Sequence, residues 1–195
     1  MTDISSNNEF QCEKFLSLDF PNQAISNSEF IGCTFSKCNF SETKFLDCIF
    51  EKCKFTDCNL SNIKLNNSKI IDCEFNNSKM IGLDWNTVST EMGLTLNCIK
   101  CDLSYSVFTN INISESKLED CKIHEADFTD TILKKSSLKG SDFLRTKFFN
   151  TDLRDCDFTD CKNYFFNPSE NKCKGSKFDQ PEVLSLLESF GIKIV

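Results

Sequence analysis

The chain has 195 residues, a formal charge of −7 and a pI of about 4.8, with 39% apolar residues, 13 cysteines and one histidine. That length suits one domain with a sizeable core. The acidic balance argues against direct nucleic acid binding, the single histidine excludes a His-based metal cluster and disfavours a Ser-His-Asp triad, and no stretch approaches the ~18 apolar residues of a membrane span.

The opening residues, "MTDISSNNEF", carry neither a basic nor an apolar leader segment. Residues 1–9 are therefore expected as an N-terminal tail, and the chain as cytoplasmic. In that reducing setting an odd number of cysteines reads as free thiols serving as small apolar core residues, not as a disulfide framework.

From Phe10 to Trp85 every fifth residue is apolar. Five is neither the helical period nor the strand period. Two places before the large residue a small one recurs, often cysteine, as at Cys33, Cys38, Thr43, Cys48, Cys53 and Cys58, and the other three places are mostly polar. Each unit thus turns one large and one small residue inward. An internal period is the mark of a solenoid, and four five-residue units close one four-sided coil. Coils stacked at the interstrand spacing of about 4.8 Å would place every twentieth residue in one vertical row. The expected core ladder includes Phe30, Phe35, Phe40, Phe45, Phe50 and Phe55, with Cys33, Cys53 and Cys73 as small partners.

The register slips in "NTVSTEMGLTLN", residues 86–97. A projecting loop is expected there, either a tolerated surface insertion or a partner contact through Asn86, Thr87, Ser89, Thr90, Glu91 and Met92. The period resumes at Cys98 and Leu103 and runs to Phe158, with His124 placed to face solvent beside the inward Ile123. Asn163, Pro168 and Cys173 then fall where large apolar residues belong, before Phe178 restores the rhythm. The solenoid accordingly spans 10–178.

Residues 179–195 change period. Pro181 suits a helix start, Gly191 a helix stop, and Val183, Leu184, Leu186, Leu187 and Phe190 follow helical spacing. A capping helix is the minimum reading, since a solenoid end must be covered. With Ile192 and Ile194 the tail carries more apolar surface than one coil end needs, which points to a homodimer through these residues.

No catalytic constellation emerges. The C-x4-C spacings differ from the C-x2-C of zinc sites, and six glycines form no phosphate-cradling loop. The chain is read as a non-enzyme with no metal and no cofactor.

The pattern resembles the pentapeptide-repeat family, whose consensus is A(D/N)LXX with Leu or Phe at the centre. "EADFTD" at 125–130 and "GSDFLRTKFFNTDLRDCDF" at 140–158 carry the likeness. The resemblance implies an all-β, right-handed quadrilateral β-helix with a short C-terminal α-helix. Within the family the chain is similar to the Qnr branch, whose members bind DNA gyrase and topoisomerase IV as DNA-like dimers. "EFIGCTF" at 29–35, "CDLSYSVF" at 101–108 and the end from 167 to 195 carry that likeness. Qnr proteins of Gram-negative bacteria have a small loop soon after the first of these, whereas here "FSKCNF" continues without insertion.

Two functions follow as expectations. A DNA-mimicking binder of a type II topoisomerase requires continuous negative potential along one face. A general interaction scaffold for another partner requires charges of both signs on all four faces, and Lys37, Lys44, Lys52, Lys54 and Lys64 point that way.

Overall fold

One backbone conformation, repeated, builds the five-residue period. In the computed structural model, which describes residues 4–193, twenty-seven non-glycine residues from Asn7 to Asn163 take a left-handed φ, as at Asn27 (51°), Asp47 (55°) and Asn67 (57°). Sixteen of them are Asn or Asp, whose short polar side chains tolerate that region best among non-glycine residues. Each such residue is a corner, and each corner is followed by a short extended segment.

Four walls result. Strands Glu9–Gln11, Glu29–Ile31, Ile49–Glu51 and Lys69–Ile71 stack in parallel as the first. Six strands, from Lys14–Leu16 to Lys117–Glu119, stack as the second. The third is a column of parallel bridges from Asp19 through Asn39, Asn59, Lys79, Asp102, Lys122 and Asp142 to Lys162. The fourth begins with Ala24–Ser26 on Lys44–Leu46 and continues from Asp84 through Val107 and Asp127 to Lys147. Partners stand one coil apart, as in Phe10 with Phe30 and Phe30 with Phe50. The chain is a right-handed quadrilateral β-helix, the hand expected of parallel crossover connections.

The shaft is filled as the period requires. Phe30, Phe35, Phe40, Phe45, Phe50 and Phe55 are buried, with Cys33, Cys53 and Cys73 beside them. Up the shaft the rings stack face to face, 4.9 Å from Phe10 to Phe30 and 4.8 Å from Phe30 to Phe50. Around a coil they meet edge to face, 5.7 Å from Phe35 to Phe40 at 78°. Both arrangements suit the aromatic quadrupole.

The small inward residue has a task beyond its size. Its donor reaches the carbonyl of a large residue in the preceding coil: Cys53 Sγ to Phe30 O at 3.1 Å, Cys73 Sγ to Phe50 O at 3.3 Å, Ser68 Oγ to Phe45 O at 3.0 Å and Thr131 Oγ1 to Phe108 O at 2.6 Å. Cys, Ser and Thr interchange here because each is a small donor.

Four sequence expectations need correction. Residues ahead of Phe10 are no free tail: Ile4 is buried against the core, Asn7 N–H donates to Ser26 O, and Ser26 N–H donates to Ser6 Oγ. Next, segment 86–97 projects much less than a loop of its length would. Phe75 pairs with Cys98 where an unbroken period would bring Thr95, so only three residues exceed a normal coil. Val88, Leu94 and Leu96 are drawn inward because they are apolar, leaving a tight turn at 90–93 in which Gly93 N–H donates to Thr90 O. Third, the shaft after Phe158 is not left weakly filled, since Tyr164 and Phe166 replace the missing large residues and both are buried.

Last, the C-terminal segment Glu182–Phe190 is a 3-10 helix rather than an α-helix. Three residues per turn align i with i+3. The row Val183, Leu186, Ser189 therefore faces the last coil, with Leu186 buried and Ser185 Oγ tied to Tyr164 O. Gly191 ends the helix in the left-handed region (φ 74°), as expected from the sequence.

Candidate interaction surfaces

The interior holds most of the thiols. All thirteen cysteines are free and eleven are buried. Burial pushes the Cys33 thiol up to about 11 and the Cys156 and Cys161 thiols up to about 12, so they remain protonated donors at neutral pH. Among the described residues no group of three or more His, Cys, Asp or Glu is arranged to hold a metal ion. His124 lies on the third wall, half-covered, with Nε2 3.0 Å from Asp142 Oδ2, and Asn163 Nδ2 donates to Asp142 Oδ1 at 2.8 Å. This is a surface contact without a nucleophile beside it.

What the molecule presents is its outer rows. Because wall residues recur once per coil, several charges meet their opposites in the next coil, while Glu9 stacks on Glu29 and Lys44 on Lys64. Lys135 pairs with Glu115 and Lys54 with Glu74; Lys122 pairs with Asp102 and Lys147 with Asp127, so every wall or its edge carries such a pair. Lys79, Asp102, Lys122, Asp142 and Lys162 alternate in sign up the third wall. Exposed pairs contribute little to stability, but they set the surface potential.

One edge differs. Between the fourth and first walls the corner residues are Asn7, Asn27, Asp47, Asn67, Asn110, Asp130 and Asn150, with no basic residue among them. Asn150 Nδ2 donates to Asp130 Oδ1 across one coil at 2.6 Å.

Of the loop residues expected to contact a partner, Asn86, Thr90, Glu91 and Met92 are exposed, while Thr87 and Ser89 are half-buried. Asn86 N–H is capped by Asp84, Ser89 N–H donates to Ser68 O, and Glu91 pairs with Lys69 at 3.4 Å. The exposed tip is therefore confined to 90–93, with Met92 70% exposed at its end.

Of the expected dimer residues, Leu186 faces inward, Val183 and Leu184 are half-buried, and Leu187, Phe190 and Ile192 are exposed. Ile194 lies outside the described residues. Two residues not anticipated from the sequence, Phe149 and Phe165, are also exposed and line a groove with Arg145, Lys147 and Ser189 of the C-terminal helix. Their signal was the doubled phenylalanine in "KFFN" and "YFFN", where only one ring of each pair can enter the shaft. Within the described residues, no helix is long and apolar enough to cross a membrane.

Residues 23–95 match the family profile of the pentapeptide repeat region, and 97–134 and 121–162 match that of pentapeptide repeats in eight copies. No curated protein sequence matches the chain. Two trypsin-treated forms of QnrB1, a plasmid-mediated fluoroquinolone resistance protein, have TM-scores of 0.73 and 0.72 against it. Both are 20% identical and cover 98% of this chain and 99% of their own. Full-length QnrB1 gives a TM-score of 0.60 at 21% identity, over 94% of this chain and all of that one. These likenesses establish the fold along nearly the whole length.

Proposed function

Because this chain belongs to the pentapeptide-repeat family, we propose that it is a non-catalytic, Qnr-like scaffold that acts by presenting its outer rows to a protein partner. The observation that carries this reading is the vertical pairing of opposite charges on all sides of the rod. Paired columns give a mixed surface in place of one continuous negative field, which suits recognition by local side-chain pattern. The scaffold acts as a homodimer through Leu187, Phe190 and Ile192, and the exposed Phe149 and Phe165 extend that apolar surface.

A second reading is favoured by the edge that runs from Asn7 to Asn150 without a basic residue. Such an edge offers negative charge and amide groups to a surface built for DNA, as expected of a type II topoisomerase binder. QnrB1 is described as a fluoroquinolone resistance protein, which makes DNA gyrase the partner to test.

A supercoiling assay with purified gyrase and micromolar protein, with and without a fluoroquinolone, separates the two. The scaffold reading expects no effect. Inhibition or drug protection that disappears in the Asp47→Lys, Asp130→Lys double variant would replace it with the second reading.

A further inference from the structure

We propose that the shaft contains a dry binding site for a single small apolar guest, of xenon or dioxygen size, in the coil that carries Leu60, Leu65 and Ile70. Below this coil the large inward positions are filled by stacked rings, among them Phe40, Phe45 and Phe50. Above it stand Met80 and Trp85. The coil between has branched aliphatic side chains at three of its large positions, and these do not span the shaft as a ring does. The small positions are enlarged as well: in the column that holds Thr43, Ser106, Ala126 and Thr146, this part of the shaft has Ile63 and Leu83, and both are buried.

The mismatch leaves an internal void of about 20 Å³, measured as the space open to the centre of a water-sized sphere. Its wall is made by Phe45, Phe50, Leu60, Leu65, Ile70 and Trp85 with their apolar neighbours. A space of this size admits a water molecule, but a water needs two to four polar partners. The aliphatic and phenyl groups of the wall supply none. Trp85 Nε1, which has no hydrogen-bond partner, is one donor and does not meet that need. Apolar voids of this kind stay dry and take up apolar atoms, because the guest restores dispersion contacts that the wall lacks.

Xenon is the probe. Crystals of the full chain under xenon pressure are expected to show one xenon peak ringed by Leu60, Leu65, Ile70 and Trp85. In solution, xenon is expected to shift the methyl resonances of Leu60, Leu65 and Ile70. Leu65→Phe, which continues the ring stack between Phe45 and Trp85, is expected to abolish both signals. Should that variant fail to fold, Leu60→Phe makes the same test from the adjacent wall. Water density in the void, no xenon peak in the wild-type shaft, or an undiminished peak in a folded filled variant would each overturn the proposal.

Discussion

The rings of Phe35 and Phe55 lie 4.6 Å apart and within 6° of parallel, one directly above the other in successive coils. The spacing is that of the hydrogen-bonded backbones from which they project, so the ladder of rings and the ladder of amides have the same rise. Phe55 touches a ring above as well, Phe75 at 5.1 Å. Replacing Phe55 with Ala therefore leaves a gap that the neighbours, pinned by their own strands, cannot close. The expected cost is about 3–5 kcal/mol, read from urea unfolding. A loss under about 1 kcal/mol would contradict the inward placement of every fifth residue.

The carbonyl of Phe108 accepts its side-chain hydrogen bond from Thr131. Thr131→Val keeps the shape and removes the donor, at an expected cost of about 1–3 kcal/mol, whereas Thr131→Ser retains most of the stability. Equilibrium unfolding of the two variants side by side decides the point. The same burial shields the core thiols from reagent: brief alkylation of native protein should modify Cys12, the exposed one, and spare Cys33, Cys53 and Cys73 until the chain is unfolded.

Much of this was legible in the sequence, and for a simple reason. A residue such as Phe30 or Phe50 is buried by position in the period alone, independent of any long-range choice of partner. Where the period breaks, the sequence marks the place without the outcome. At 86–97 the slip is visible, but Val88, Leu94 and Leu96 returning to the core follows only from the backbone's path. At 163–168 the expected positions are poor, and Tyr164 and Phe166 enter out of register. Cysteine reads from sequence only as a small apolar residue, because nothing there displays the carbonyl that waits in the preceding coil. Whether the apolar C-terminal residues or the loop tip meet a partner is a property of the surface, which periodicity does not govern.

At the C-terminal end, Leu187 and Phe190, one 3-10 turn apart, point away from the coil that Leu186 covers. If the proposed dimer forms through this row, Leu187→Glu with Phe190→Glu should yield a soluble monomer with unchanged circular dichroism. Deleting 181–195 uncovers the last coil as well, and should give a monomer or an insoluble chain. An unchanged dimer on sedimentation in the double variant would refute the role of this row.

Acid should act through Asp152, which is buried and held by Arg154, with Nε donating to Oδ1 at 2.8 Å and Nη2 to Oδ2 at 2.5 Å. The Arg154 guanidinium keeps this carboxyl below the usual carboxylate range. A depressed native value means the pair stabilises the fold fully above the unfolded value of about 3.9, and the stabilisation is lost as pH falls through the native value. Wild type and Asp152→Asn should therefore differ in stability at about pH 6, and the difference should shrink as the pH falls below the unfolded value and through the native one. A difference that is constant across that window would show that the contact is not electrostatic.

The three-residue excess between Phe75 and Cys98 separates the tip of the loop from the architecture. Every rung after Cys98 sits in the column it would occupy had the excess never been present. Shape and decoration are thus separable in this molecule: shortening, lengthening or exchanging the tip at 90–93 should leave the rod on either side in its present alignment.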